Sequence, residues 1–386
     1  MSDEERNIAG YNGLTRVEPT LPSEFYFDGD HYERELRKIW YRNWLYVCRA
    51  SELRGPRAFR VFEIGSQEIL ILRDQNEELR AFHNTCRHRG SVLVREPKGR
   101  LPGSKITCPY HCWAYDLQGK LQRTPTPSEQ GDFDKADYSL YDVAVRDWNG
   151  FVFIHLEPEN ARPLEESFNG SHLLDNWPLA DLALGHTYEK ILHCNWKVFW
   201  ENFNECLHCP SVHKELSEVV PLYKQHLMEV QDDPEWEAHQ RSGDKRYKQG
   251  LAEGKETWSK NGSACAAYFP DLNEEEIARG HTYCETVPSG FIVGHVDYVR
   301  VLRLRPLGPE TTEIHVQWFF REESLADPAF DASGVVEFGQ RVIDEDGAVA
   351  EINQKGLRSI RHKHGALMAE EYAVHDFHVW VLEQLG

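Results

Sequence analysis

The sequence contains no run of about eighteen apolar residues, the least that crosses a bilayer as a helix. It has no basic excess either: 43 Lys and Arg stand against 63 Asp and Glu, a formal charge of −20. A surface of that sign repels phosphate backbones, which argues against nucleic acid as a partner. No Gly-x-Gly-x-x-Gly dinucleotide fingerprint occurs. With no room for a flavin domain either, the chain carries no reductase of its own. Internal repeats and low-complexity tracts are absent. The opening Met1-Ser2-Asp3-Glu4-Glu5-Arg6 has neither a basic region nor an apolar stretch, so no secretion signal is expected. A disulfide framework is not expected. Of 9 cysteines, two sit in the loops described next, and Cys48, Cys112, Cys194, Cys206, Cys209, Cys265 and Cys284 follow no regular spacing. Reduced thiols in the cytoplasm account for them.

What is present begins with two short loops, Cys86-Arg87-His88-Arg89-Gly90 and Cys108-Pro109-Tyr110-His111, with 19 residues between His88 and Cys108. Each pairs one cysteine with one histidine. Such mixed pairs suit a [2Fe-2S] cluster in which two thiolates hold one iron and two imidazoles the other. Neutral imidazoles lower the cluster's negative charge and raise its potential above that of a plant-type ferredoxin. A tetrahedral zinc site also uses two Cys and two His, but usually as Cys-x-x-Cys followed by paired histidines. Strands at Glu68–Arg73 and Leu79–Asn84, with an Asp74–Glu77 turn, feed the first loop. Lys105–Thr107 and Trp113–Asp116 flank the second, and a further strand runs Gly150–Leu156.

At 386 residues, with 40% apolar and 12% aromatic content, the chain accommodates two packed domains. The expected fold class is α+β: a small antiparallel β domain around the cluster, and a catalytic domain with an antiparallel sheet flanked by helices. The expected boundaries are an N-terminal helical segment (1–45) packing on the catalytic domain, the cluster domain (46–158) and the catalytic domain (159–386). An amphipathic helix is expected over Tyr32–Trp44. The second domain is expected to open with helices and loops, and the charged stretch Glu235–Asn261 to be an exposed excursion. Strands are expected at Ser289–Val293, Tyr298–Leu304 and Glu313–Phe320. A long acidic helix ends near Leu357, and a C-terminal helix spans about Ala366–Leu385.

The segment Asn195–His208 is helix-periodic. Trp196, Phe199, Trp200, Phe203 and Leu207 fall on one face, Glu205 and His208 on the other. Pro210 is expected to end the helix, and His213 follows five residues after His208. Polar residues opposite an apolar face are often only a solvated surface. An electron-carrying domain upstream nevertheless needs an acceptor. Two histidines and one carboxylate on one face of a non-haem iron leave positions open for dioxygen. Asp344, Glu345, Asp346 and Glu351 are the candidate third ligands, and periodicity does not choose between them. Glu205 and Asn202 are the candidate catalytic residues.

Together these motifs resemble the large subunits of Rieske-type non-haem iron oxygenases. The resemblance spans nearly the whole chain and includes Trp148-Asn149-Gly150-Phe151-Val152-Phe153, Asn195-Trp196-Lys197 and Glu205-x-x-His208-x4-His213. It implies a Rieske cluster on Cys86, His88, Cys108 and His111, and a mononuclear Fe(II) on His208, His213 and a third acid. In the family that acid is an Asp eight residues before the Gln of a Gln-basic-Gly-Leu stretch. Gln354-Lys355-Gly356-Leu357 thereby points to Asp346. The resemblance also implies that Glu205 links His111 of one subunit to His208 of its neighbour in a homotrimer. Electrons would come from a separate NAD(P)H-dependent flavin and iron–sulfur reductase. Ser91 and Tyr110 stand where respiratory-chain Rieske proteins have a bracing cysteine pair, which implies a lower potential here. Cys112, where relatives commonly have a small residue, is expected to be an inert buried thiol.

Glu rather than Asp at position 205 resembles the betaine and carnitine branch, which hydroxylates a carbon beside a quaternary nitrogen. Such a cation wants an aromatic cage. Tyr283, Phe291, Tyr298, Trp318 and Phe320 are candidates, although aromatics on strands are more often core. The alternative substrate is an aromatic acid, ring-hydroxylated or O-demethylated, for which Arg300, Arg303 or Arg305 would bind the carboxylate. A Rieske electron carrier with an inactive second site is a further alternative. It leaves more than half of the chain without a purpose.

Overall fold

The computed structural model describes residues 10–126 and 130–386; the opening hexapeptide lies outside the described residues. The chain divides into two compact units, one of residues 40–168 with 286–289, the other of residues 10–39, 169–285 and 290–386. No helix among the described residues is long and apolar enough to cross a membrane.

The first unit is built from three small antiparallel sheets. Leu79–His83, Gln67–Arg73, Ala58–Ile64 and Lys98–Arg100 form one, in that order, and Lys105–Thr107, Ala114–Asp116 and Leu121–Arg123 a second. Ala144–Trp148, Phe151–His155 and Leu45–Arg49 make the third. The first two sheets share a core of Phe59, Leu70, Leu72, Phe82, Ile106 and Tyr115, and Cys86 and Cys108 are buried within it.

In the second unit, helix α1 spans Gly29–Glu35. It starts three residues earlier than the sequence predicts. The Asp28 carboxylate accepts from the backbone N–H groups of Asp30 and His31, an N-cap that apolar periodicity does not register. A wider π-type turn over Leu36–Trp40 follows, and Leu45 is already in a strand, so no helix reaches Trp44.

The sheet of this unit has five antiparallel strands: β1 (Leu182–Leu192), β2 (His281–Thr286), β3 (Gly290–His295), β4 (Val299–Gly308) and β5 (Thr311–Arg321), in the order β1-β5-β4-β3-β2. The three central strands are the three predicted. The edges β1 and β2 fall where helix and loop were expected or where nothing was.

Helix α2 spans Trp196–Phe203 and is capped by Asn195, whose side chain accepts from the Lys197 N–H. Short helices α3 (Cys209–Val212) and α4 (Lys214–Val219) follow. The regular helix thus ends at Phe203. Pro210 does not terminate it but opens α3, where a missing N–H and a fixed φ are no handicap. Helix α5 runs Ser333–Leu357 and α6 Tyr372–Leu385. The C-terminal helix begins later than expected because Ala366–Leu367 is used in a two-stranded pairing with Glu18–Pro19.

Two further expectations are corrected. The stretch 235–261 is not wholly an exposed excursion: Leu251 and Trp258 are buried in a core with Tyr223, Phe338 and Val342. Nor are all seven remaining thiols free. Cys206 and Cys209, whose Cα atoms lie 4.9 Å apart, form a disulfide across the turn after α2.

Candidate active site

The two loops bring like ligands together. Cys86 and Cys108 are 3% and 2% exposed and lie within hydrogen-bonding range of each other. The His88 and His111 rings meet edge to face at 4.9 Å between centroids. Burial pushes the Cys86 thiol up. Burial opposes the Cys108 thiolate too, but the N–H groups of His111 and Tyr110 outweigh it and bring that thiol down. The Tyr115 hydroxyl sits 3.3 Å from the Cys86 sulfur and accepts from the Arg87 N–H. His88 stacks on Trp113 at 4.8 Å and is exposed, as is Tyr110. The site is therefore two-sided, with sulfur toward the core and imidazole toward solvent. Four donors of this chemistry fit a two-iron cluster. Cys112 is exposed rather than buried. It occupies a left-handed turn at φ 55°, a conformation that favours glycine.

In the second unit, His208 and His213 flank α3, and Asp346 reaches them from α5. Their donor atoms, those of His208, His213 and Asp346, lie within 4.8 Å of one another and suit one metal ion. The Nε2 atoms of the histidines are 3.2 Å apart. Asp346 Oδ1 lies 2.7 Å from His213 Nε2 and 3.4 Å from His208 Nε2. Each imidazole is oriented from behind: His208 Nδ1 pairs with Glu205 Oε1 at 2.5 Å and His213 Nδ1 with Glu345 Oε2 at 2.8 Å. Such partners fix ring orientation and raise donor basicity. Asn202 Nδ2 approaches His208 Nε2 at 3.3 Å.

The acidic alternatives are accounted for. Glu345 backs His213, Asp344 accepts from the Tyr188 hydroxyl and Lys190, and Glu351 accepts from the His193 N–H. Burial disfavours the charged imidazole of His208, but the hydrogen bonds to Asp346 and Glu205 prevail and push it up to about 9. His213 is raised in the same way. Asp346 is held below the usual carboxylate range by the two histidines, despite its burial.

The triad opens on a cavity of about 710 Å³, counting its mouth. Of the predicted cage, Tyr283 and Phe291 line it. Tyr298, Trp318 and Phe320 are instead core residues, at most 2% exposed. Phe203, Tyr223 and Trp258 line the cavity and were not foreseen. Of the three candidate arginines only Arg300 lines it, while Arg303 and Arg305 pair with Glu313.

The ring hydroxylating alpha subunit (catalytic domain) family matches residues 179–386, and the Rieske [2Fe-2S] domain family matches residues 43–142. The chain belongs to the ring-hydroxylating alpha-subunit family of Rieske oxygenases. It is similar to the glycine betaine monooxygenase oxygenase subunit of Chromohalobacter salexigens, 26% identical over 94% of this chain and 84% of that one. It is also similar to the carnitine monooxygenase oxygenase subunit of Escherichia coli strain K12, 29% identical over 93% and 92%. The crystal structure of the quaternary ammonium Rieske monooxygenase CntA in complex with L-carnitine shares the fold, with a TM-score of 0.69 at 23% identity, covering 95% of this chain and 96% of that one. As a Rieske oxygenase alpha subunit the protein uses a [2Fe-2S] cluster and a mononuclear iron, and acts with dioxygen and a reductase partner.

Proposed function

We propose that this terminal oxygenase hydroxylates or N-demethylates a small quaternary ammonium compound of the betaine kind. The carrying observation is the convergence of His208, His213 and Asp346 on the wall of an aromatic-lined cavity. Bound iron supplies dioxygen activation there, and the cluster supplies electrons singly.

In this reading His208, His213 and Asp346 hold the iron, and Cys86, His88, Cys108 and His111 hold the cluster. Glu205 keeps His208 in the tautomer that frees Nε2 for the metal. Its short contact to Nδ1 supports that role. Asn202, beside His208 Nε2, orients what enters the open side of the triad. Phe203 and Phe291, stacked at 3.6 Å, keep water from that wall, and with Tyr283 they offer ring faces to methylammonium groups.

The exposed imidazole side of the cluster suits electron hand-over outside its own chain. That supports a homotrimer in which Glu205 meets His111 of the next subunit, fed by an NAD(P)H-dependent flavin and iron–sulfur reductase. We assign the cluster to the unit of residues 40–168 with 286–289 and catalysis to the unit of residues 10–39, 169–285 and 290–386, close to the expected boundaries at 46 and 158, and place the protein in the cytoplasm, without a membrane or nucleic-acid partner.

The test is a single turnover: the reduced holoenzyme is exposed to air with betaines and carnitine, and formaldehyde and hydroxylated products are quantified. Amine oxidation supports the reading. Hydroxylation confined to aromatic acids would replace it.

A further inference from the structure

Among the described residues, Arg300 is the one charged side chain of the cavity wall that neither backs nor belongs to the metal triad. It lies on β4, paired across the sheet with Val293 and Trp318, and is 5% exposed. Its guanidinium is held over the Trp258 ring, 5.8 Å from the centroid. On the other side it meets α5, where a Cβ built on Gly339 would be 3.4 Å from Nη1.

Among the described residues the Arg300 side chain makes no hydrogen bond or ion pair, and its Nε is fully buried without a partner. Asp346, the acid whose field it feels, is committed through Oδ1 to the two histidines. Bound iron would neutralise Asp346 further. The neighbouring imidazoles add no compensation: burial, together with the Arg279 and Arg300 charges, pushes His281 down to about 4, and His295 is lowered too. An isolated buried cation is strongly disfavoured unless it is paired. A fork of donors beside an indole on the cavity wall matches the planar geometry of a carboxylate.

We propose that Arg300 is the anion-binding residue of this cavity, so that the substrate carries a carboxylate. Within the quaternary ammonium reading, on which the identity of the other end rests, the substrate is a zwitterion. Its carboxylate pairs with Arg300, and its methylated nitrogen lies against Phe203, Tyr283 and Phe291. A bare cation without the acid group is a poor ligand, because it would add a second positive charge beside an unanswered one.

The test measures binding to the resting holoenzyme by calorimetry, using pairs of ligands that differ in the acid group: glycine betaine with choline, and L-carnitine with its methyl ester. Benzoate serves as the aromatic acid. The acid member should bind at least about a hundredfold more tightly than its cationic counterpart without the carboxylate, the loss typical of removing one partner from a buried charge pair. Arg300→Gln should bring the acid down to its counterpart, and Arg300→Lys should restore part of the difference. Iron bound at the His208, His213 and Asp346 site, which lies in the same unit as Arg300, reports folding of each variant, and the wild-type pairs decide alone if the variants do not fold. Equal binding within both pairs, or an Arg300→Gln variant that binds the acids as wild type does, overturns the assignment. So does the absence of binding by every carboxylate tested. Arg300-dependent binding of benzoate with none of either quaternary pair keeps Arg300 as the anion site and removes the quaternary ammonium reading.

Discussion

Each histidine of the triad uses both ring nitrogens, one toward the metal position and one toward a carboxylate behind it, so proton and metal compete for the same donors. With the metal removed, Glu205 and Asp346 hold a proton on His208 up to about pH 9. A raised imidazole pKa favours the protonated, metal-free state at low pH, and metal binding must expel that proton. Fe(II) affinity of the apoprotein should therefore rise with pH through the neutral range, by about tenfold per unit for one displaced proton, and level off near the His208 pKa. Proton release on Fe(II) addition, read with an indicator in weak buffer, checks this. An affinity flat with pH would show that the imidazole is already neutral. Substitutions separate the two carboxylates on His208. Asp346→Ala should empty the iron site while the cluster's colour remains. Glu205→Ala should keep the cluster and most of the iron but lose turnover. Metal analysis beside activity distinguishes the two, and iron retained in Asp346→Ala would make another acid the third ligand.

The element that positions this chemistry is α2, and its start is fixed by a buried ion pair. Lys197 and Glu35 are both fully buried and 2.5 Å apart. The Lys197 ammonium also donates to Asn195 Oδ1 and the Phe25 carbonyl, and Glu35 accepts from the Trp196 indole. The Asn195 N–H donates to Gln354, which ties α2 to the helix that carries Asp346. The Asn-Trp-Lys and Gln-Lys-Gly-Leu stretches, legible as motifs, thus act by holding two helices and the N-terminal segment in register, not by touching substrate. Lys197→Ala leaves Glu35 buried and unpaired and should cost about 3–5 kcal/mol in denaturant unfolding, while joint replacement of both partners by apolar residues should cost much less. The same scale explains what the sequence concealed. Strands β3, β4 and β5 are buried along most of their length and carry enough Val, Ile, Leu and Phe to read as strands. The edge β1 is Leu-Ala-Leu-Gly-His-Thr-Tyr-Glu-Lys-Ile-Leu, with polar side chains on both faces, His186 and Lys190 on one and Thr187 and Glu189 on the other, and a glycine inside it, so no apolar period shows. The residues that converge on one candidate metal position were legible because His208 and His213 are local in sequence and Asp346 follows from the motif register. Tyr223, Trp258 and Arg300 are gathered from separate elements, and only the fold brings them to one cavity.

At the scale of the whole molecule, the question is which iron a given cluster serves. The cluster's exposed histidine edge and the half-buried Glu205–His208 pair are each suited to meet a partner across an interface. A closed trimer lets every subunit act as donor to one neighbour and acceptor from the other. Two defective chains separate this arrangement from transfer within one chain. A Cys86→Ser chain lacks a functional cluster but keeps its iron triad, and an Asp346→Ala chain lacks iron but keeps its cluster. Each should be inactive alone. Co-expressed in equal amounts, they assemble at random, and an active centre forms wherever an iron-bearing chain receives from a cluster-bearing neighbour. That requires two independent choices of chain, so the mixture should recover about a quarter of wild-type turnover if transfer runs between subunits of a cyclic assembly. Transfer confined to single chains gives none, since no chain in the mixture holds both metals. Adding Glu205→Ala to the iron-bearing chain should abolish the recovery, whereas adding it to the cluster-bearing chain should leave it unchanged, because in the proposed trimer only the acceptor's glutamate would stand between the neighbour's His111 and its own His208.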